Sequence, residues 1–359
     1  MVEQPWRLRV TREAMHAPFE IILHGDRDER ALQDIAESAV EEVKRLEGQL
    51  SAFIPSSDLC WINDTAWQRP VPVEPGLFDL LSMAADVHAE TEGAFDITVG
   101  PLLKCWGFFR RQGALPGDEE LASAREKVGM RHVALDADRR TVRFLRQGVE
   151  LNLGALGKGY AVDRAVEHLR QWQVTCALVH SGASSIYALG CPPGLRGWRV
   201  GILDPRDRSR RVGALTLRDQ ALCTSGNWEQ YFTVDGTRYG HLIDPRSGWP
   251  AQGMLGTTVL GASAAEADAL ATAFFVLGVE GTRQYCDRNQ QAAVLFSEVD
   301  GERMAVHEFG CTMERECLDY EDRPRAGTEP PAVLALGGSP GGHRGGGAVR
   351  IEPAGGSAG

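Results

Sequence analysis

Asp268 and Thr272 stand four residues apart in the apolar stretch ADALATAFFVL. On a helix that spacing puts both side chains on one face, about 5–6 Å apart, so a carboxylate and a hydroxyl offer two hard oxygens to one cation. Taken alone, the pair also fits a solvated aspartate beside a threonine that bonds back to its own helix. The neighbours Ala269, Leu270, Ala271, Ala273 and Phe274 leave that helix largely apolar, where an unpaired carboxylate is costly.

A second cluster lies in GALGKGYAVDRAV, where Gly154, Gly157 and Gly159 surround Lys158 just before a helical pattern. Small residues allow close backbone approach, a helix N-terminus favours anions, and the lysine adds positive charge, which together suit a phosphate. The G-x-x-x-x-G-K-[ST] spacing of a P-loop is absent, and a glycine-rich turn before a helix is common by itself. A third cluster, YGHLIDPRSGWP, sets His241 beside Asp244, Arg246 and Ser247 in a tight turn. Such a histidine is either a general base or a satisfied structural residue. No Gly-x-Ser-x-Gly elbow occurs, which argues against serine hydrolase chemistry.

The elements that must position these residues follow from periodicity. Residues 7 to 24 read as one or two strands, and Leu32, Ile35, Ala36, Ala39, Val40, Val43, Leu46 and Leu50 mark an amphipathic helix. PSSDLCWIND reads as a loop, Pro75 as the start of a helix that ends at Gly93, and AFDITVGPLLKCWGF as a strand and loop. VRFL and VELNLG read as strands before a helix whose stripe is Val162, Ala165, Val166 and Leu169. CALVHSG, IYALG, WRVGIL, VGALTL and ALCTSG read as short strands, and YFTVDGTRYGHLID as a hairpin turning at Asp235-Gly236. Ser263 to Glu266 form a capping box for a helix that runs to Gly278, and AAVLF and MAVHEF are strands after it. Strands and helices mixed without strict β-α-β alternation predict an α+β domain around a largely antiparallel sheet. The domain is expected over residues 1–319. Residues 320–359, dominated by Gly, Pro, Ala and Ser, are expected to be a disordered tail.

A chain of 359 residues that is 43% apolar can bury a sizeable core. Its net charge of −11 argues against a nucleic-acid partner, because phosphate backbones select clustered basic faces. Eight cysteines without a C-x-x-C pair suit reduced thiols in a cytoplasmic protein, and His307, Cys311 and Cys317 match no zinc spacing. The N-terminal segment has no signal-peptide core or lipidated cysteine, and no run of about 18 apolar residues suggests a membrane span.

Six blocks in order resemble the ApbE-like FAD:protein FMN transferases: LSAFIPSSDLCWIN, GAFDITVGPLLKCWGF, LNLGALGKGYAVDRAVEHL, GWRVGILDP, TSGNWEQYFTVDGTRYGHLIDPRSGWP and ASAAEADALATAFFVLG. The resemblance covers roughly residues 15 to 310. It implies that Asp268, Thr272 and the Gly157 carbonyl bind Mg²⁺. It also implies that Asn63, Asp96, Trp106, Lys158, Asp163, Thr224, Ser225, Gly226 and His241 line or support a site for FAD, with His241 deprotonating the incoming hydroxyl. The implied reaction moves FMN from FAD to a Thr or Ser of an acceptor flavoprotein and releases AMP. Two alternatives use the same residues: an FAD pyrophosphatase, in which water replaces the hydroxyl, and a protein that binds FAD without turning it over.

The chain departs from the family pattern at several places. Gly-Gly-Asp or Gly-Gly-Asn reads Gly182-Ala183-Ser184, TSGDY reads Thr224-Ser225-Gly226-Asn227-Trp228, an Ala before the lysine is Gly157, and an early MGT is Met15-His16-Ala17. Two acidic positions have lost their charge, which bears on the number of metals and on how the acceptor approaches.

Overall fold

The computed structural model describes residues 6–25, 28–110, 112–182, 184–299 and 303–315. Strands β1 (Trp6–Ala14) and β2 (Ala17–Gly25) form a hairpin that leads into helix α1 (Glu29–Leu50). Next come α2 (Asp58–Thr65), β3 (Val71–Pro72), α3 (Pro75–Glu90), α4 (Gly100–Cys105), a 3-10 turn at Phe108–Arg110 and α5 (Asp118–Arg125). The chain continues through β4 (Val133–Asp136), β5 (Thr141–Phe144), α6 (Gly157–Gln171), β6 (Ala177–Ser181), β7 (Ser185–Leu189), β8 (Trp198–Leu203) and β9 (Arg211–Leu217). It closes with β10 (Gln220–Gly226), β11 (Tyr231–Val234), β12 (Thr237–Gly240), β13 (Met254–Gly261), α7 (Ala264–Asn289), β14 (Ala292–Val299), β15 (Arg303–Phe309) and β16 (Glu314–Arg315).

Eight strands pair antiparallel in the order β1-β2-β6-β7-β10-β13-β14-β15, and β16-β9-β8 form a second, smaller sheet. The large sheet is apolar on both faces because each face has a neighbour to bury against. Ile21, Val179, Tyr187, Cys223, Val259 and Leu295 point to the layer of α1, α6 and α7. The alternate residues Ile22, Leu178, Ile186, Leu222, Leu260 and Phe296 meet Trp198, Val200 and Leu217 of the small sheet. That alternation is the period-two pleat of a strand read from both sides. The α1 face contributes Leu32, Val40, Val43 and Leu46, all fully buried, each worth about 1.5–3 kcal/mol when removed from water. A third cluster of Leu102, Trp106, Phe108, Leu121 and Ile243 joins α4 and α5 to the loop after β12.

The expected α+β architecture with antiparallel pairing is present, with differences in detail. PSSDLCWIND is not a loop: Ser57 accepts a hydrogen bond from Cys60 N at 3.0 Å and starts α2. The stretch expected as a strand before Cys105 holds only an isolated bridge, Val99 to Glu150, followed by the short helix α4. VELNLG likewise forms no strand beyond that bridge. Strand β13 lies between β10 and β14 although no strand is expected there from the pattern. The last helix pauses at Gly278, with φ +68°, and resumes to Asn289. The segment 320–359 and Cys317 lie outside the described residues. The seven other cysteines are free thiols. No helix among the described residues is long and apolar enough to cross a membrane.

Candidate active site

A cleft of about 1240 Å³ crosses the end of the large sheet. Its walls come from the β1–β2 hairpin, the end of α1, the turn at Phe108–Arg110, the start of α6, the β6–β7 turn, Arg208 between β8 and β9, and Trp228–Gln230 after β10. Gly157 and Lys158, the first two residues of α6, line it directly.

Asp268 sits just inside that wall, on the second turn of α7, and is 4% exposed. Its Oδ2 accepts hydrogen bonds from Gly159 N at 2.9 Å and from Ser185 Oγ at 3.0 Å. Burial pushes its pKa up to about 6, opposed by the charge of Lys158 and by those two hydrogen bonds, while Glu229 adds to the rise. Thr272, one turn further on, lies with Oγ1 3.2 Å from Ser225 Oγ. The approach of α6 to α7 depends on Gly159, where an added Cβ would fall 2.2 Å from the Ala264 carbonyl oxygen. Only glycine lets the start of α6 deliver an N–H to Asp268 at this distance.

The donor set fits a magnesium-type cation. Among the described residues no group of three or more His, Cys, Asp or Glu side chains is gathered so as to hold a metal, and the oxygens near Asp268 are of the hard type. Asp268 uses Oδ2 for both hydrogen bonds, and Thr272, Ser225 and the Gly157 carbonyl are neutral hard oxygens. Mg²⁺ is typically held by one or two carboxylates, with substrate phosphates and waters completing the shell.

His241 follows β12 and is half-buried. Both its backbone N, at 3.1 Å, and its Nδ1, at 3.2 Å, face the carbonyl oxygen of Gln230, a residue of the cleft wall. A carbonyl only accepts, so Nδ1 carries the proton and Nε2 keeps a lone pair. Burial, helped by the charge of Lys158, lowers the pKa of His241, against opposing contributions from Glu229 and Gln230. The ring is therefore neutral at pH 7 and able to take a proton.

The remaining predicted site residues are bound into the frame. Asn63 clamps the backbone of Leu151, donating to its oxygen at 3.0 Å and accepting from its nitrogen at 2.8 Å. Asp96 accepts from Thr98 N at 2.8 Å and lies 3.2 Å from His88 Nδ1. Trp106 is fully buried and donates to the Gly248 oxygen at 2.8 Å. Asp163 accepts from Ala264 N, Ala265 N and Ser263 Oγ, so it caps α7 from α6. Thr224 Oγ1 meets Thr258 Oγ1 at 3.0 Å, and a Cβ on Gly226 would stand 1.9 Å from the Trp228 ring. None of these six lines the cleft, and neither do Ser225, His241, Asp268 or Thr272; of the predicted site residues only Gly157 and Lys158 do.

Sequence reasoning missed Ser185, which holds Asp268, and the cleft residues Phe53, Glu229 and Arg208. Phe53 stacks on Phe109 with ring centroids 4.6 Å apart, meets the His16 ring edge-on at 6.0 Å and is 56% exposed. A hydroxyl on an otherwise apolar strand such as SIYAL was the available signal for Ser185. At the altered positions, Ser184 Oγ donates to the Ser181 oxygen at 3.3 Å, and the Asn227 side chain packs against Gly240. Ala183 lies outside the described residues.

Comparison with known proteins places this geometry in a family. The ApbE family profile matches residues 15–296. The chain is 33% identical over 248 residues to an FAD:protein FMN transferase of Klebsiella pneumoniae, covering 68% of this chain and 76% of that one. It is 35% identical over 262 residues to an FAD:protein FMN transferase of Treponema pallidum, covering 68% and 72%. Among solved structures, the ApbE protein of Thermotoga maritima superposes with a TM-score of 0.77 at 30% identity, over 84% of this chain and 97% of that one. The flavin transferase ApbE of Vibrio cholerae superposes with 0.74 at 27% identity, over 85% and 97%. The chain belongs to the ApbE family.

Proposed function

We propose that this protein is a Mg²⁺-dependent FAD:protein FMN transferase that joins FMN, through a phosphoester bond, to a Thr or Ser of an acceptor flavoprotein and releases AMP. The observation that carries the reading is the buried carboxylate of Asp268, placed between the N-terminus of α6, Lys158 and the Thr272 hydroxyl at the wall of a cleft large enough for a dinucleotide. Family membership and the names of its relatives support the same activity.

In this reading the α6 N-terminus and Lys158 bind the FMN phosphate, since N–H groups and an ammonium both attract an anion. Asp268, Thr272 and the Gly157 carbonyl are the groups that would hold Mg²⁺, which would supply positive charge against the phosphates as negative charge builds there. His241 Nε2 accepts the proton of the acceptor hydroxyl as that oxygen bonds to the FMN phosphorus. The bond from that phosphorus to the bridging oxygen breaks, and the oxygen leaves on AMP. Phe53 and Phe109 offer a stacking face for a ring of the substrate. The seven free thiols among the described residues fit a reducing compartment.

The test is to incubate the protein with FAD, Mg²⁺ and a flavin-accepting protein of the family's type and to measure the acceptor's intact mass. An acceptor carrying one FMN is expected. An unmodified acceptor beside released AMP and FMN would replace this reading with a pyrophosphatase, and recovery of intact FAD would leave only storage.

A further inference from the structure

Four cationic side chains of Arg or Lys line the cleft: Arg9, Arg110, Lys158 and Arg208. Arg9 is tied to the buried Glu20 at 2.6 Å, Lys158 acts on Asp268, and Arg110 is exposed. Arg208 is half-buried, and among the described residues it forms no ion pair, the charge of Glu229 in the same cleft wall acting on it from further away. Its guanidinium lies instead over the Trp228 ring, 4.6 Å from the centroid.

The indole is a fixed prop. A Cβ at Gly226 or Gly256 would stand 1.9 Å or 3.0 Å from it, so the ring rests on bare backbone of β10 and β13. A guanidinium stacked on such a ring loses less freedom on binding and keeps its in-plane donors for a phosphate, which it meets with two parallel hydrogen bonds.

Lys158 belongs to the helix layer, and Arg208 to the turn of the small sheet on the opposite face. Ser185 on β7 bonds Asp268 on the helix side, and the carbonyl of adjacent Ser184 accepts from Thr224 N at 2.7 Å. Thr224 in turn shares a small cavity with Arg208 and Trp228 on the other face. One cleft thus carries a cation on each side of the sheet end. A pyrophosphate between two nucleosides has that form: two anionic groups whose substituents run apart.

We infer that Arg208, held by Trp228, binds the adenylate phosphate of FAD, the one that departs with AMP. The assignment rests on the FMN-transfer reading. In that reading the phosphate under attack sits at Lys158 and the α6 N-terminus, whose Gly159 N–H holds Asp268 at 2.9 Å, which leaves the other phosphate of FAD to Arg208 across the sheet end.

Calorimetric titration of AMP, FMN and FAD, each with Mg²⁺, into the parent, Arg208→Gln, Arg208→Lys and Trp228→Leu tests this. Arg208→Gln is expected to weaken AMP and FAD about tenfold or more, the scale of a lost charged hydrogen-bonding pair, with FMN within twofold and the melting temperature unchanged. Arg208→Lys and Trp228→Leu keep a cation but lose the stacked fork, and both should fall between parent and Gln variant. AMP binding to Arg208→Gln as tight as to the parent overturns the inference, as does an equal loss for FMN. A parent that binds AMP and FAD but never modifies an acceptor defeats the transferase reading while the AMP comparison still decides the role of Arg208. A parent that binds neither overturns both.

Discussion

Asp268 is kept buried at a cost in stability, with its pKa raised to about 6 by desolvation. Replacing it with Asn preserves an oxygen that can accept from Gly159 N and Ser185 Oγ while removing the charge penalty. Asp268→Asn is therefore expected to melt at or above the parent temperature and to lose turnover at ordinary Mg²⁺, since an amide is a far poorer ligand for a hard dication. Parent-like turnover at low Mg²⁺ would place the metal elsewhere. His241 gives a second expectation. Its pKa is lowered from 6.5, so the neutral base survives to more acidic pH than an ordinary histidine and is lost only as pH falls through the lowered value. The acid limb of kcat/KM should then lie below pH 6.5 and vanish in His241→Ala, whose chemical step should be about 10²- to 10⁴-fold slower with FAD affinity little altered. The spacing of Asp268 and Thr272 puts both on one face of a helix, but alone it also fits a solvated aspartate, and it took the family resemblance to single the pair out. Ser185 and Arg208 were not legible, since they reach the site through strand pairing and a turn whose place in space no local pattern encodes.

Two helix starts meet at the site, and the contact between α6 and α7 is what brings Lys158 and Asp268 together. Asp163 on α6 takes over the first N–H groups of α7, so the cap of one helix is supplied by the other. The capping box read in the sequence is half realised: Ser263 Oγ accepts from Glu266 N at 3.3 Å, while Asp163 accepts from Ser263 Oγ and from the N–H groups of Ala264 and Ala265. Gly159 is the pivot. Gly159→Ala is expected to destabilise the fold by about 1–3 kcal/mol through overpacking against the Ala264 carbonyl. It should also weaken Mg²⁺-dependent turnover by moving the N–H that holds Asp268. Denaturant unfolding and a Mg²⁺ titration read the two effects separately, and a variant unchanged in both would show that α6 shifts freely. The long helices α1, α3, α6 and α7 were legible because each repeats its apolar face over several turns. Helices α2 and α4, of 8 and 6 residues, repeat too little to outweigh the loop-like residues around them. Strand β13 is buried on both faces and lacks the polar alternation that would have announced it.

At the scale of the molecule, the cleft draws on residues from Arg9 to Gln230, so no segment owns it and binding there should stabilise the whole domain. FAD at about 100 times its Kd is expected to add about 2.7 kcal/mol, seen as a rise in melting temperature that free FMN at the same concentration does not match. This shift also tests the C-terminal segment, which lies outside the described residues. The family match ends at residue 296, and every described residue that lines the cleft lies at or before Gln230. From residue 328 onward the sequence is dominated by Gly, Pro and Ala, too poor in apolar side chains to add to a packed wall. Removing residues 328–359 is therefore expected to leave both the FAD-induced shift and the rate of FMN transfer unchanged. A truncated protein that binds FAD normally but transfers slowly would assign the segment to acceptor capture. One that loses the FAD shift as well would mean that the segment folds over the cleft, and that the apolar count is the wrong measure of what it does.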